Sequence, residues 1–304
     1  MLKSFTVTNY LGDSIKMSLE EPEKTGLAIL SVAGLSPTKA NINTTDMATI
    51  DGSLYNSARL DKRNIVFTFL FLDSETESIE DIRHKTYRYF PIKKKLDIVI
   101  ETDRRSVRTT GYVESHEALI FSEQAGTTIS VICPDPYFYD AGNSIITDFY
   151  SIEPVFEFPF SNESLSDPLL VLGEINFTPE KVIHYDGDSD IGITVRIHAI
   201  GTAKNVSIYN MDTREVMKID TDKLEAITGS GIIGKDDIII TTMKGSKSIT
   251  LIREGTSYNI LNCLDKNADW LTLRKGDNIF AFAADEGITN LQLQIEHQII
   301  YEGA

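Results

Sequence analysis

Apolar residues in this chain mostly alternate with polar ones or form short runs, which is typical of β-strands. The segments "KSFTVTNY" (3–10) and "RNIVFTFLFLD" (63–73) follow this pattern and are rich in β-branched and aromatic residues. The pattern returns in "KKLDIVIE" (94–101), "SVRTTGYVESHEAL" (106–119) and "TTISVIC" (127–133). It therefore predicts strands along most of the first 133 residues.

One helix is predicted within this β-rich half. Ser74 can act as its N-cap, and Glu77 stands three residues further on, as a capping box requires. Pro91 would end the helix, because proline cannot continue the hydrogen-bonded backbone. Four residues at helical spacing form its buried face: Ile79, Ile82, Thr86 and Phe90. The first half is thus predicted to be a β-barrel or small sandwich covered by a single helix.

The second half carries many short β-like segments, from "PLLVLGEINF" (168–177) to "LQLQIEHQII" (291–300). Turns rich in glycine and aspartate separate them, for example "DGDSD" (186–190) and "RKGDN" (274–278). Short strands at regular spacing with such turns predict a β-sandwich or jelly roll.

The stretch "ISVICPDPYFYD" (129–140) stands between the two halves. Pro134 and Pro136 would stop the preceding strand, since the residue before a proline is pushed toward extended backbone. Tyr137, Phe138 and Tyr139 then need burial, because three adjacent aromatic rings in water would be unusual. The stretch is either a stiff, packed domain exit or part of a surface that contacts a neighbouring subunit.

These patterns give three segments with distinct roles. Residues 1–133 form the first domain, residues 134–162 a linker rich in proline and aromatic residues, and residues 163–304 the sandwich domain. A length of 304 residues is typical of two domains.

The charge balance limits the classes of partner. The formal net charge is −16, of which −4 falls on residues 1–140 and −12 on residues 141–304. Because nucleic-acid binders need a basic surface, a nucleic-acid partner is not expected. No apolar run is long enough for a signal peptide or a membrane span, so we expect synthesis in a cytoplasm. Cys133 and Cys263 fall in different halves and are expected to be buried thiols.

Candidate chemistry is sparse. "GSGIIGKDD" (229–237) nearly matches a phosphate-binding loop, but Asp236 stands where Ser or Thr should hold magnesium, so we expect a flexible hairpin tip. "DGDSD" (186–190) resembles the start of a calcium loop, but Ile191 and Ile197 replace the glycine and glutamate of an EF-hand. Solvated acids in a turn are the preferred interpretation there, and a calcium site shared with other loops stays open.

No catalytic, cofactor-binding or metal-binding residue is predicted. The motif "HEALI" lacks the second histidine of a zinc protease, because Ile120 occupies that position. No histidine stands at ligand spacing from another histidine or a cysteine: His84, His116, His184, His198 and His297.

Two further features have competing interpretations. "KKK" (93–95) and "RRSVR" (104–108) form either a solvated face or a positive patch that complements an acidic partner. Trp270, the single tryptophan, and Tyr258 are candidate glycan contacts, although a core position is the preferred interpretation for Trp270.

Several long segments resemble the distal tail protein family of siphophages, the phages with long non-contractile tails, that infect Gram-positive hosts. In the first half the resemblance rests on "DGSLYNSARLDKRNIVFTFLF" (51–71), the helix with Arg83, "LDIVIETDRRSVRTTGYVES" (96–115) and "ISVICPDPYFYD". In the second half it rests on residues 184–216 and 270–303.

The resemblance implies a split β-barrel with one helix, similar to tail-tube proteins, followed by a jelly roll similar to galectins and carbohydrate-binding modules. It implies a homohexameric ring at the virion tail tip, with the tail tube protein and the tail-tip hub protein as partners. In some members the jelly roll also carries receptor-binding proteins. A carbohydrate-binding module that adsorbs to host cell-wall glycans is the alternative function.

Overall fold

The computed structural model describes residues 1–49, 51–73, 77–119, 124–154 and 173–304. The chain divides into two compact units, the first made of Met1–Asn143 with Ile300–Ala304 and the second of Ser144–Ile299. The described residues are mainly β, as the sequence predicted. Ser74, Ile120 and residues 155–162 at the end of the predicted linker lie outside the described residues. The domain bounds given above stay a prediction.

The strands, in chain order, are β1 (Leu2–Asn9), β2 (Ser14–Ser18), β3 (Leu27–Ala33), β4 (Ala40–Asp46), β5 (Ser53–Leu60), β6 (Arg63–Phe71), β7 (Lys95–Thr102), β8 (Ser106–Leu119), β9 (Gly126–Cys133), β10 (Phe138–Asp140), β11 (Ile145–Asp148), β12 (Tyr150–Pro154), β13 (Gly173–Phe177), β14 (Glu180–Tyr185), β15 (Ile191–Gly192), β16 (Thr194–Ala199), β17 (Ser207–Asn210), β18 (Glu215–Lys218), β19 (Asp237–Thr241), β20 (Ser248–Arg253), β21 (Thr256–Asn259), β22 (Thr272–Leu273), β23 (Gly276–Ala283), β24 (Leu291–His297) and β25 (Ile300–Tyr301). The helices are α1 (Ile79–Tyr89) and α2 (Thr221–Thr228).

The first unit is built on one antiparallel sheet in the order β2-β1-β7-β8-β9-β6-β3. Its inward face is apolar and aromatic because alternate residues of each strand point to the same side. Phe67 lies at the centre, with its ring 5.3 Å from Phe5 in an edge contact and 5.6 Å from Phe69 in a stack. β2 and β3 are the two edge strands of this order, and among the described residues they do not pair with each other.

Helix α1 covers this core, but its capping box differs from the predicted one. Ser78 is the N-cap, and its hydroxyl accepts from the Asp81 N–H while the Asp81 carboxylate accepts from the Ser78 N–H. Glu77 instead binds the Lys85 ammonium at 2.8 Å. Two overlapping pairs fit the capping pattern, and the pair next to the first helical residue forms the cap.

The predicted helix face is buried at three of its four positions. Ile82 and Thr86 are buried within the helix, and Phe90 is buried at its C-cap, just before Pro91. Ile79 is exposed, since it occupies the first turn.

The second unit is a sandwich of two main antiparallel sheets, as the predicted jelly roll requires. The larger sheet has the order β11-β24-β16-β19-β20-β21 and the smaller one β14-β23-β17-β18. Two short pairs, β12–β13 and β15–β22, accompany them. Alternation along β16 and β24 buries every second residue, and the ring of Phe149 contacts Phe282 with 4.6 Å between centroids.

Helix α2 was not predicted from the sequence. Asp220 caps it by accepting from the Asp222 and Lys223 N–H groups, and Gly229 ends it in the left-handed conformation. Among the residues of this short helix only Thr221 and Leu224 are buried. A single turn of buried residues leaves too little periodicity to detect.

His297 at the end of β24 gives a test of the second unit's core. Its ring is buried, and neither ring nitrogen has a hydrogen-bond partner among the described residues. Burial lowers the pKa of His297 below its ordinary value of 6.5. The unfolded chain therefore takes up a proton at a higher pH than the folded chain, so acidification favours unfolding.

Between about pH 7 and about pH 5, we expect the free energy of unfolding to fall less in His297→Leu than in the wild type. In the wild type, the contribution of neutral His297 to the free energy of unfolding is complete above pH 6.5. It declines as the pH falls toward the folded-state pKa of His297. Urea unfolding followed by Trp270 fluorescence measures it within the same unit. His84→Leu, at an exposed histidine, is the control, and equal pH slopes for wild type and His297→Leu would contradict the expectation.

Candidate assembly site

The stretch after Cys133 becomes a strand of the first unit. Phe138 is fully buried and pairs with Tyr301, while Tyr139 pairs with Ile300 on one side and Arg108 on the other. Strand β10 therefore lies between β8 and β25. This places the predicted packing segment against the body of its own unit. Contact of the same segment with a neighbouring subunit stays a prediction.

Arg63 anchors this segment from inside the unit. Its Nε donates to the Pro136 carbonyl at 2.8 Å, and its Nη2 donates to the Glu302 carbonyl at 2.6 Å. Its Nη1 donates to the carbonyls of Gly34 and Ser36. Burial lowers the pKa of the Arg63 guanidinium, but an arginine remains protonated at neutral pH. One buried cation thus joins three separate parts of the chain through carbonyl oxygens.

The aromatic residues of the stretch have different environments. The guanidinium of Arg63 lies 4.1 Å from the centre of the Phe138 ring, a cation–π contact. Tyr139 donates its hydroxyl to Asp135 at 2.6 Å, and burial together with this carboxylate raises the pKa of Tyr139. Tyr137 is half-buried, and its N–H donates to the same carboxylate at 3.1 Å. Pro136 is half-buried and Pro134 is exposed.

Sequence reasoning missed the role of Arg63. Its position offered an indication, because it shares the inward face of β6 with Ile65, Phe67, Phe69 and Phe71. A charged residue in register with a buried face needs internal hydrogen-bond partners. The partners themselves, up to 239 positions away along the chain, leave no local trace.

The end of the chain is fixed by a second arginine. Arg105 donates to the Gly303 carbonyl at 2.9 Å, and its guanidinium lies 4.3 Å from the centre of the Tyr301 ring. Arg105 belongs to the predicted basic patch, so part of that patch is used inside the unit. Lys95 is likewise paired, with Asp97 at 3.3 Å, whereas Arg104 and Arg108 are exposed.

The hairpin of β4 and β5 is the most exposed element of the first unit. Its strands pair with each other from Ala40–Leu60 to Asp46–Ser53, and no other described strand pairs with them. Large apolar side chains are exposed along it: Ile42 at 60%, Leu54 at 58% and Tyr55 at 62%. Both faces of the hairpin are solvated, so it buries almost nothing within the chain.

The candidate glycan contacts occupy separate positions. Trp270 is half-buried, with the Lys247 ammonium 4.8 Å from its ring centre. Tyr258 lies directly opposite Leu251, a core residue, and therefore on the inward side of the edge strand β21. A role of either residue in glycan binding stays a prediction.

The segment at residues 229–237, which nearly matches a phosphate-binding loop, is held by an ion pair. The prediction of a flexible hairpin tip there is therefore wrong. Asp236 is buried and forms a two-point contact with Arg253, at 2.8 Å and 2.6 Å. The same guanidinium binds the Ser230 hydroxyl and the Gly231 carbonyl, both at 2.6 Å. Residues 230–236 are thus fixed to β20, with the acid turned inward instead of toward a phosphate.

Residues 186–190, which resemble the start of a calcium loop, supply one hydrogen-bond partner to His184, and β23 supplies a second. Asp186 accepts from the His184 ring at 3.0 Å, and Asp277 contacts its other nitrogen, and these two carboxylates raise the pKa of His184. In the described part of the chain, no group of three or more His, Cys, Asp or Glu side chains is placed to hold a metal ion. No described helix is long and apolar enough to cross a membrane.

Comparison with known proteins identifies the first unit. Residues 23–150 match the phage tail protein RIFT-related domain. This match spans the β4–β5 hairpin, helix α1 and the stretch that ends in β10. No curated protein sequence matches the chain significantly.

The fold of the whole chain has a counterpart among solved structures. The crystal structure of SPP1 Dit, described as a paradigm of the hub adsorption apparatus in phages that infect Gram-positive bacteria, matches with a TM-score of 0.62. The match covers 97% of this chain and 99% of Dit at 14% identity. A baseplate chain of phage p2, in its activated conformation with Sr, covers 98% of both chains at 11% identity, but its TM-score of 0.47 carries no conclusion.

The domain match and the Dit fold confirm the resemblance to siphophage distal tail proteins. Residues 23–150 of the chain form a phage tail domain, and the fold of the whole chain is that of the Dit protein of phage SPP1.

We expect Arg63→Met to destabilise the first unit by about 3 kcal/mol or more, because several hydrogen bonds from a charged group are lost and buried carbonyls stay unpaired. Hydrogen–deuterium exchange should rise in peptides that cover Pro136–Asp140 and Ile300–Gly303. Arg104→Met, at an exposed arginine two residues from the β8 strand, is the matched control. Equal protection of these peptides in both variants would show that Arg63 does not hold them.

Proposed function

We propose that six copies of this chain form a closed ring at the distal end of a phage tail. The ring joins the tail tube protein above to the tail-tip hub protein below. The phage tail domain at residues 23–150 supports this proposal, as does the Dit fold, since Dit is described as part of a hub adsorption apparatus. The chain is then a structural virion protein of the tail tip, assembled in the host cytoplasm and without catalytic activity.

The β4–β5 hairpin is the observation that carries the ring. A two-stranded hairpin alone in water is marginally stable at best. This hairpin has no third strand among the described residues and exposes Ile42, Leu54 and Tyr55. Unpaired strand edges and exposed apolar side chains both favour contact with another chain. A neighbouring copy would cover the hairpin and complete its sheet or its apolar contacts.

The arrangement of such a contact fits a ring. The hairpin of one copy contacts a different surface on the next copy, which makes the contact head-to-tail. Head-to-tail contacts generate a closed ring when the rotation between copies divides a full turn. The exposed basic residues Arg104 and Arg108 remain available for an acidic surface of a tail partner.

We expect the wild-type protein to reach about six times the chain mass of 33.9 kDa in light scattering as its concentration rises. Ile42→Lys should stay monomeric at concentrations where the wild type assembles, because a desolvated ammonium opposes the contact. At low concentration, where both proteins are monomeric, its melting temperature should match that of the wild type, since Ile42 is exposed in a single chain.

Ile200→Lys is the matched control, because Ile200 is 50% exposed in the second unit. It should assemble as the wild type does. Full assembly of Ile42→Lys would contradict the role of the hairpin, and a wild type that remains monomeric even with purified tail tube and hub proteins would contradict the ring.

A further inference from the structure

A groove of about 350 Å³ lies at the neck of the β4–β5 hairpin, where the chain enters β4 and leaves β5. Its lining comes from residues 34, 36–39 and 61–64, two segments joined by a hydrogen bond of 3.2 Å from the Asp61 N–H to the Lys39 carbonyl. The volume lies within the range of roughly 300–1,000 Å³ that is usual for small-molecule sites. The exposed apolar side chains of the proposed ring contact are not among the lining residues, so the groove is separate from that contact.

A buried positive charge lies beside this groove. Arg63 is 1% exposed, and its four hydrogen bonds all go to backbone carbonyls, which carry no net charge. Two of these carbonyls belong to Gly34 and Ser36, which line the groove themselves. Buried charges are usually paired, but Arg63 forms no ion pair with a carboxylate of the described residues, and Asp135 acts on it only from a longer distance. The positive potential of Arg63 at the groove therefore lacks a direct counter-charge.

Two lysines add to this potential. Lys39 precedes β4 and Lys62 follows β5, and both are exposed. Neither lysine forms an ion pair with a carboxylate in the described part of the chain. Asp61 is the one acidic residue of the lining, and it is exposed to water. With Arg63, the lining carries three positive charges and one negative charge, in a chain whose net charge is −16.

Neutral side chains of the groove also offer hydrogen-bond donors. The hydroxyl oxygen of Thr38 is buried and has no hydrogen-bond partner among the described residues. The side-chain oxygen of Asn64 accepts from Ser130 at 2.9 Å, so the N–H groups of the same amide remain for a ligand. A buried polar group without a partner costs free energy, and a ligand that accepts from Thr38 would recover part of that cost.

These groups together define the charge and shape of a ligand. Ammonium, amide and hydroxyl donors all need an acceptor, and lysine is a common binder of phosphate through its point charge. A phosphate group carries a charge of about −2 and three strong acceptor oxygens, whereas a carboxylate carries one charge and two oxygens. The first set matches two unpaired ammonium groups and two neutral donors more closely. We propose that the hairpin neck binds a phosphate group, either as the free ion or as the monoester of a small molecule.

A phosphate bound there links the two ends of the hairpin. Because Lys39 lies before β4 and Lys62 after β5, an anion between their ammonium groups contacts the chain on both sides of the neck. Bound phosphate also offsets the repulsion between these two lysines and Arg63. Since only the folded chain brings the three cations together, phosphate should raise the melting temperature of the first unit.

Calorimetry and ¹H–¹⁵N NMR on the full-length protein test the proposal, at constant ionic strength and at concentrations where light scattering shows monomers. We expect inorganic phosphate to bind with Kd on the order of 1 mM, with amide shifts confined to residues 34–39 and 61–64. Methyl phosphate distinguishes the two sources, because its binding supports a monoester and its failure beside bound inorganic phosphate supports the free ion. Acetate should bind at least about tenfold more weakly.

Variants with opposite expected effects protect the test against a folding defect. Lys39→Gln combined with Lys62→Gln should weaken phosphate binding by about tenfold or more, because both unpaired ammonium groups are lost. Asp61→Asn should strengthen it by about threefold, since it removes the one carboxylate of the lining. Lys244→Gln combined with Lys266→Gln is the matched control, which makes the same change in net charge at two exposed lysines of the second unit. It should bind phosphate as the wild type does.

Four results would overturn the proposal. They are no phosphate binding by the wild type, equal affinity in the wild type and in the double variant at the neck, an equal loss of affinity in the control pair, and acetate binding as tight as phosphate binding. None of them depends on the ring, because binding is measured on monomers. A wild type that binds phosphate but never assembles would contradict the ring alone.

Discussion

The buried guanidinium of Arg63 is the constraint on which the first unit depends. A buried charge without hydrogen-bond partners costs several kcal/mol, so its surroundings must supply acceptors. Here the acceptors are backbone carbonyls from residues 34–36, from Pro136 and from Glu302. The entry to the β4–β5 hairpin, the exit strand β10 and the chain end are therefore mutually dependent. Loss of any one leaves the same charge partly unsatisfied.

Local patterns in the sequence were enough to predict much of the architecture. Alternation along β6, β16 and β24 predicted strands, because one face of each is buried against a core. The same reasoning placed a helix before Pro91 but chose the wrong capping pair, since Ser78 and Asp81 fit the pattern as well as Ser74 and Glu77 do. Helix α2 was not predicted, because it buries one face over only a single turn and so gives little helical periodicity.

The candidate sites were much less visible. Leu54 and Tyr55 of the hairpin are adjacent in the sequence and point to opposite faces of β5, so no alternating pattern marks the hairpin or shows that both of its faces are solvated. The groove at the hairpin neck combines two chain segments, which only the pairing of β3 with β6 and of β4 with β5 brings together. In the sequence, Asp236 is only the residue that departs from a phosphate-loop motif. Its buried ion pair is with Arg253, which lies 17 positions further on and leaves no local sign in the sequence.

The two units divide their surfaces in different ways. The first has a solvated hairpin and arginines on its exterior, which suit contacts with other proteins. The second has its charges paired across neighbouring strands, as with Arg196 and Glu296, so its outward sheet face is polar but locally balanced. Such a face is polar without a strong local charge of either sign.

The position of β25 has a consequence for biosynthesis. Residues 300–303, which β10 and Arg63 require, are translated after every residue of the second unit. A nascent chain therefore carries an incomplete first unit, with the Arg63 charge short of one acceptor, until the jelly roll has been synthesised. Chains interrupted within the second unit lack the strand that completes the first. Completion of the first unit therefore requires that the second unit has been translated in full.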